Sequence, residues 1–410
     1  MQEKEIVQLI DAQPERHSLA REFYTDPDIY ERDIERIYLR AWLYAGHESE
    51  IPEPGNWFLF ELAGESVIVA RGLDGEIRAM LNVCRHRGSR ICLERSGCAK
   101  RLICRYHGWT YDLEGNLVGA SRMNPDFDKS AVRLGRVHVE SLDGLIFVNL
   151  ADQPADFGAV REGLADCLRP YGLAGAKVAH RQTYPIAANW KLAVENYSEC
   201  YHCAPAHPEY SRGHSLAHHG QRSGKLLDAV MARAEACGLS DRTVTRMFLK
   251  APGFGADFGY ERYPLIRQHL TGSDDGRPVA PLLGSIRDYD GGATDLQVGP
   301  VTFGLMYCDH VVLYRFTPVT IDQSECDITW LVRGDAVEGQ DYDRDRLTWL
   351  WDVTTHADKR IIEHNQQGVN SRYYEPGPLS AMENFAWSFL SWYLRLMQAD
   401  SKKDTAREES

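Results

Sequence analysis

Cys84-Arg85-His86-Arg87-Gly88 and Cys104-Arg105-Tyr106-His107-Gly108-Trp109, with seventeen residues between His86 and Cys104, are the stretches that decide how this chain is built. Together they offer two thiols and two imidazoles. That donor set suits a [2Fe–2S] centre in which two histidines replace two cysteines on one iron. Imidazole is neutral where thiolate is negative, so such a cluster carries less charge and accepts an electron at a higher potential. A structural zinc site draws on the same residue types, but a zinc finger pairs Cys with Cys and then His with His. Here each pair is mixed, as if each iron drew one ligand from each loop. Cys92 and Cys98 lie between the loops and fit neither pattern.

The rest of the composition sets broad limits. A chain of 410 residues is long enough for two or three domains. It opens on polar residues with no secretory pattern, and no apolar run approaches membrane-spanning length, so a soluble, cytoplasmic protein is expected. The net charge of −13 is dispersed and no basic stripe is present, which argues against nucleic acid or an anionic membrane as partner. Ten cysteines without a secretory leader point to reduced thiols and metal ligation. Cys167, Cys237, Cys308 and Cys326 are expected in the core.

Working outward, residues 1–45 read as a helical arm, with a helix from about Ser18 to Trp42 carrying Tyr30, Ile34, Ile37 and Tyr38 at helical spacing. Residues 46–155 read as a small all-β unit. Its strands are Trp57 to Phe60, Ser66 to Ala70 and Arg78 to Val83, with turns at Leu73-Asp74-Gly75 and Asp112 to Asn116 and a closing strand Leu145 to Leu150. Residues 156–410 read as a second, α+β unit. It starts with a helical connector to about Gly172 and a strand Val178 to Tyr184, then a helix from Trp190. Strands Val301–Met306, His310–Phe316 and Cys326–Val332 precede helices Tyr342 to Asn370 and Ser380 to Gln398. The intervening Gly213 to Asp295 is rich in glycine and charge with little periodicity, and reads as loops over a pocket.

A second metal site is written in Glu195-Asn196-Tyr197-Ser198-Glu199-Cys200-Tyr201-His202-Cys203-Ala204-Pro205-Ala206-His207. Glu199 and His202, three apart, share a helix face. His207 reaches the same point if Pro205 ends the helix and turns the chain. Two histidines and a remote carboxylate make a facial triad for non-haem Fe(II), leaving open positions for O2. Asp358 is the preferred carboxylate, and Glu363 on the same helix competes. Cys200-x-x-Cys203 flanks His202, where packing is expected in preference to disulfide chemistry. Gly253-Phe254-Gly255-Ala256-Asp257-Phe258-Gly259 has one residue too many for a dinucleotide fingerprint and no βαβ unit around it, so nicotinamide and flavin are expected on a separate partner.

Over about residues 20 to 400 the chain resembles the oxygenase (α) subunit of Rieske non-haem iron oxygenases, also called ring-hydroxylating oxygenases. The two cluster loops, the Glu195 to His207 segment, and the Asp358 helix with Gln366-x-Gly368 and Pro376-Gly377-Pro378 carry the likeness. The resemblance implies a small all-β Rieske domain and a helix-grip catalytic domain, an antiparallel sheet around a long helix. It implies Cys84, His86, Cys104 and His107 as cluster ligands, and His202, His207 and Asp358 as iron ligands, deciding for Asp358 over Glu363. It also implies Glu199 and Asn196 as catalytic residues, with Glu199 bridging to His107 of a neighbouring subunit in a homotrimer. Electrons would come from a separate NAD(P)H-dependent reductase of flavin or ferredoxin type.

The Glu-Cys-Tyr-His wording is similar to the branch that acts on quaternary ammonium compounds such as betaine, choline and carnitine, by N-demethylation or hydroxylation. An aromatic ring-hydroxylating oxygenase is the alternative, and a Rieske electron-transfer protein with a vestigial iron site is the alternative of another class. A methylammonium group calls for an aromatic cage, for which Tyr260, Tyr263, Phe303, Tyr307 and Trp330 are available. An aromatic acid calls for a buried cation, for which Arg315 or Arg333 is available.

Overall fold

The computed structural model of the chain describes residues 1–215, 225–239, 244–245 and 257–408. Its first sheet has seven strands: β1 (Leu43–His47), β2 (Asn56–Leu62), β3 (Glu65–Arg71), β4 (Ile77–Leu81), β5 (Ser96–Cys98), β9 (Arg136–Leu142) and β10 (Leu145–Asn149). They run in the order β1-β10-β9-β4-β3-β2-β5. A three-stranded sheet of β6 (Leu102–Ile103), β7 (Thr110–Tyr111) and β8 (Leu117–Gly119) carries the second cysteine loop. The β-branched run Val67-Ile68-Val69 places β3 in the sheet interior, buried on both faces. Beneath the cysteine loops Trp57, Ile68, Trp109, Tyr111 and Leu113 form one apolar cluster that also encloses Cys84 and Cys104. Strand β1, at 43–47, runs across the 45/46 boundary read from sequence.

The second unit is built on an antiparallel sheet in the order β11-β17-β16-β15-β14-β13-β12. Its strands are β11 (Ala176–Ile186), β12 (Val244–Thr245), β13 (Phe258–Pro264), β14 (Gly292–Val298), β15 (Thr302–Met306), β16 (Val311–Thr320) and β17 (Gln323–Arg333). Helices α4 (Gly158–Leu168), α5 (Trp190–Tyr197), α6 (Cys203–Ala206), α7 (Pro208–Ser211), α8 (Lys225–Cys237), α9 (Arg344–Val369) and α10 (Asn384–Glu408) complete it. No described helix is long and apolar enough to cross a membrane. Cys167, Cys237, Cys308 and Cys326 are buried as expected, whereas Cys98 is exposed.

Two sequence expectations give way here. The stretch Gly213 to Asp295, read as a mixed region including loops, contains among its described residues α8, β12, β13 and the start of β14, more regular structure than its weak periodicity suggested. Strands β13 and β14 are buried on nearly every residue, so no alternation betrays them. The charge in β13 is interior as well: Arg262 is 1% exposed. It is forked onto Asp290, with Nε to Oδ2 at 2.6 Å, and reaches Thr294 at 2.7 Å. The Gly253 to Gly259 run lies outside the described residues as far as Ala256, and its end enters β13.

The arm differs as well. The single helix expected from Ser18 to Trp42 is divided into α2 (Glu22–Thr25), α3 (Pro27–Asp33) and a π-turn at Ile34–Tyr38, preceded by α1 (Glu3–Asp11). Pro27 forces Asp26 out of the helical region, and the Asp26 carboxylate then caps α3 through the N–H groups of Asp28 and Ile29. Asp33, at the end of α3, is fully buried. It is paired with Lys191, and accepts from Trp190 Nε1 at 3.1 Å and Tyr393 OH at 2.8 Å, so one carboxylate holds the arm, α5 and α10 together. Asp33→Ala would leave the buried Lys191 ammonium unpaired. Its expected cost is about 3–5 kcal/mol, read as a lower denaturation midpoint.

Candidate active site and metal centres

The two cysteine loops are built alike. In the first, Gly88 N–H donates to Cys84 O at 2.9 Å and Cys84 N–H to Ser89 O at 2.9 Å. In the second, Gly108 N–H donates to Cys104 O at 3.0 Å and Cys104 N–H to Trp109 O at 2.8 Å. Both turns close through a glycine in the left-handed region, φ +74° at Gly88 and +71° at Gly108, where a side chain would be strained. The thiols of Cys84 and Cys104 are buried, while His86 and His107 stand exposed at the tip with their Nδ1 atoms 3.1 Å apart. Facing ring nitrogens on the outside and sheltered thiols on the inside fit a [2Fe–2S] cluster whose outer iron takes both histidines.

The surroundings of the cluster loops hold that arrangement in place. Trp109 stacks on His86 at 4.7 Å and Tyr106 on His107 at 3.9 Å. Tyr111 is a residue that the motif did not announce. Its hydroxyl lies 3.3 Å from Cys84 Sγ and accepts from Arg85 N–H at 3.1 Å. A hydrogen bond to a cluster sulfur raises its potential further. Cys92 takes no part: burial pushes its thiol up to about 11, so it stays protonated.

The second site lies where the chain leaves α5. Asn189 caps that helix, accepting from Lys191 N–H at 3.0 Å, and the helix ends at Tyr197. Glu199 and His202 therefore meet in the turn that follows, not on a helix face. His202 Nδ1 lies 2.5 Å from Glu199 Oε1, and the other carboxylate oxygen accepts from the backbone N–H groups of Tyr201 and His202. Pro205 does not end a helix; it sits inside the four-residue α6, where a missing N–H is harmless. The chain turns at His207, with Pro208 opening α7. The Cys200 and Cys203 sulfurs are bonded to each other, closing the turn around His202 where packing alone was expected.

Asp358 arrives from the long helix α9. Its Oδ1 lies 2.8 Å from His207 Nε2 and 3.2 Å from His202 Nε2, and one donor atom from each of the three residues falls within 4.8 Å of the others. Glu363 points away, accepting from Ala187 N–H at 2.9 Å and pairing with Lys359. Asn196 Nδ2 is 3.4 Å from His202 Nε2. Two imidazoles and a carboxylate converging from one side fit an Fe(II) ion with open positions.

Those donors floor a cavity of about 430 Å3. Tyr197, Tyr210, Phe303, Tyr314 and Trp351 wall it, joined by the carboxylates of Glu261 and Asp295, and no lysine or arginine is among its described lining residues. Of the aromatic residues proposed from sequence, Phe303 faces the cavity; Tyr260 reaches it only by its backbone, its ring packing with Leu296 on the other face of the sheet, and Tyr263, Tyr307 and Trp330 are not among the walls. Arg315 and Arg333 are elsewhere, paired with Asp327 and Asp335.

A cluster that takes electrons singly, carried on the same chain as an open-sided iron site beneath a closed-in cavity, defines a Rieske non-haem iron oxygenase. The chain belongs to that family: residues 173–399 match the ring hydroxylating alpha subunit (catalytic domain) and residues 41–140 the Rieske [2Fe-2S] domain. It is accordingly the oxygenase subunit of a multicomponent system that works with a [2Fe–2S] cluster and non-haem iron. The likeness to monooxygenase oxygenase subunits along nearly the whole chain argues against a vestigial second site.

Among its relatives, the glycine betaine monooxygenase oxygenase subunit of Pseudomonas aeruginosa (strain UCBPP-PA14) is 36% identical over 396 residues, covering 95% of this chain and 91% of that one. The carnitine monooxygenase oxygenase subunit of Escherichia coli (strain K12) is 37% identical over 207 residues, 48% of this chain and 54% of that one. The solved quaternary ammonium Rieske monooxygenase CntA shares the fold, with a TM-score of 0.72 at 21% identity, covering 95% of this chain and 98% of that one.

One wall of the cavity depends on a neutral histidine. His214, 1% exposed, stacks on Tyr210 at 4.1 Å. Its Nδ1 donates to the Tyr210 carbonyl at 3.2 Å and its Nε2 accepts from Tyr307 OH at 2.7 Å. Burial pushes its pKa down to about 3. The unfolded chain then binds a proton that the folded chain refuses, so stability is whole above about pH 6.5 and falls by about 1.4 kcal/mol per unit as the pH drops toward 3. His214→Gln is expected to flatten that slope between pH 6.5 and 4.5, as followed by denaturant midpoints at a series of pH values.

Proposed function

We propose that this enzyme oxidises a small quaternary ammonium compound at a carbon next to nitrogen. The carrying observation is the cavity, whose aromatic walls and carboxylates suit a cation and whose described lining offers no positive charge to repel one. The glycine betaine relative, similar along nearly the whole chain, supports the same substrate class.

His202, His207 and Asp358 would hold the iron, and Cys84, His86, Cys104 and His107 the cluster. The bound iron would supply O2 activation: with two electrons and two protons, one oxygen atom enters a C–H bond and the other leaves as water. Hydroxylation of an N-methyl carbon then releases formaldehyde and the demethylated amine. The protein's own part is positional. The ring of Tyr197 packs tilted against Phe303 at 4.3 Å and Tyr314 at 5.2 Å, giving the cation π-faces to rest against above the metal donors. Electrons come from a separate NAD(P)H-dependent reductase of flavin or ferredoxin type.

Electron delivery between copies of the chain completes the reading. His107 stands exposed, and Tyr201, two residues from Glu199, is 58% exposed; the Glu199 side chain is 14% exposed, so a neighbour would dock on the turn that holds it. Although no basic stripe was expected, residues 84–105 carry six arginines and Lys100 against the single acid Glu94, in a chain of net charge −13, and this cationic tip complements the acidic remainder of a second copy. Glu199 then joins His202 to a neighbouring subunit's His107 within a homotrimer.

The reconstituted enzyme, given NADH and reductase, is expected to consume O2 with trimethylammonium substrates and to form one formaldehyde per substrate. A hydroxylated arene or dihydrodiol from the aromatic members of the same panel, with no formaldehyde, would place it in the ring-hydroxylating branch instead. Glu199→Gln is expected to keep both metal signals and the trimer by light scattering while turnover drops roughly 10–100-fold.

A further inference from the structure

His202 has a carboxylate behind it, and so, on the other side of the site, has His207. The His207 ring is 1% exposed, and its Nδ1 has no hydrogen-bond partner. The carboxylate oxygen beside it is Glu209 Oε1, 3.4 Å away, which is buried and also lacks a hydrogen-bond partner. The Glu209 side chain is only 11% exposed. Two buried polar atoms left bare are costly, and these two are complementary, one able to donate and one able only to accept. Their separation exceeds a hydrogen bond by a few tenths of an ångström. The chain path explains how they meet: Pro208 turns the backbone after His207, and Glu209, second residue of α7, swings its side chain back over the ring.

The inner nitrogen of the same ring supplies the chemical reason. His207 Nε2 faces Asp358 Oδ1 at 2.8 Å, the position from which it would bind iron through its lone pair. A neutral imidazole that gives the lone pair of Nε2 to a metal must carry its proton on Nδ1. We propose that Glu209 is the positioning residue for His207, accepting from Nδ1–H and so fixing the tautomer and angle of the ring. Glu199 does the same for His202 across 2.5 Å. The inference rests on His207 being an iron ligand. It adds that each iron histidine is steadied by its own carboxylate, one before the histidine pair in sequence and one after it.

The test measures Fe(II) affinity by chelator competition on the cluster-loaded trimer, with cluster absorbance as a check on folding and the EPR signal of the ferrous nitrosyl complex as a reporter of geometry. Glu209→Ala is expected to weaken Fe(II) binding about 10–100-fold and broaden the nitrosyl signal, and Glu209→Gln, which keeps an acceptor oxygen, to restore most of both. A role confined to the first turn of α7 would instead lower the melting temperature of iron-free protein. Fe(II) affinity within about two-fold of wild type in Glu209→Ala would then overturn the proposal. His207→Ala separates the layers. Wild-type Fe(II) binding in that variant would remove the ligand reading itself, whereas loss of iron there with none in Glu209→Ala would remove only the positioning role.

Discussion

Three donor atoms must meet at one point although Asp358 lies 151 residues from His207 in the chain, and that convergence governs the catalytic unit. It is secured by a clamp between α9 and the segment entering α5. Lys359 Nζ donates to Pro185 O at 2.7 Å, Glu363 accepts from Ala187 N–H at 2.9 Å, and Gln366 accepts from Asn189 N–H at 2.8 Å. The three side chains recur at i, i+4 and i+7, one stripe of α9, and grip Pro185 near the end of β11 and Ala187 and Asn189 in the bend that leads into α5. A slip of one residue in either element would break all three bonds together. The register of Asp358 against the histidines is therefore fixed by groups that never touch the metal.

The electron-accepting end follows another logic. Its ligands need no long-range register, because two short turns with the same hydrogen-bond pattern hold them, each closed by a glycine. Sheltering the thiols and exposing the histidines puts the outer iron at the protein boundary, where an electron crosses the shortest distance to another molecule. The price is an exposed aromatic and cationic tip, with Ile103 and Tyr106 each 55% exposed, in a form suited to being covered.

Much of this was legible in the sequence, for definable reasons. The cluster loops and the Glu199 to His207 segment rest on close spacing of chemically distinctive residues; the structure sets His86 beside His107 and brings His202 and His207 to Asp358, whose choice over Glu363 came only with the family resemblance. The small β unit showed itself through β-rich runs and turn residues. What stayed hidden was hidden physically. Strands β13 and β14 are buried on both faces and carry an interior ion pair, so they neither alternate nor look apolar. Glu199 meets His202 through a turn that no helical periodicity encodes. The cavity walls were only partly read, since Phe303 was named but Tyr210 and Trp351 were not, and Tyr260 was named although its ring faces the other side of the sheet. A ring facing a cavity and a ring facing the core obey the same pattern along a strand or helix.

The iron donors and the sheet face of the cavity come from separate parts of the chain, although Tyr197, Tyr210 and Trp351 of its wall stand on α5, α7 and α9 beside the donors. The donors lie between α5 and α7 and on α9, whereas Phe303 and Tyr314 stand on β15 and β16 of the sheet opposite. Mutations that reshape the sheet face therefore leave the clamp, and with it the metal geometry, alone. Such a division makes substrate range an evolvable trait: a lineage can explore new molecules one aromatic residue at a time without passing through an inactive ancestor.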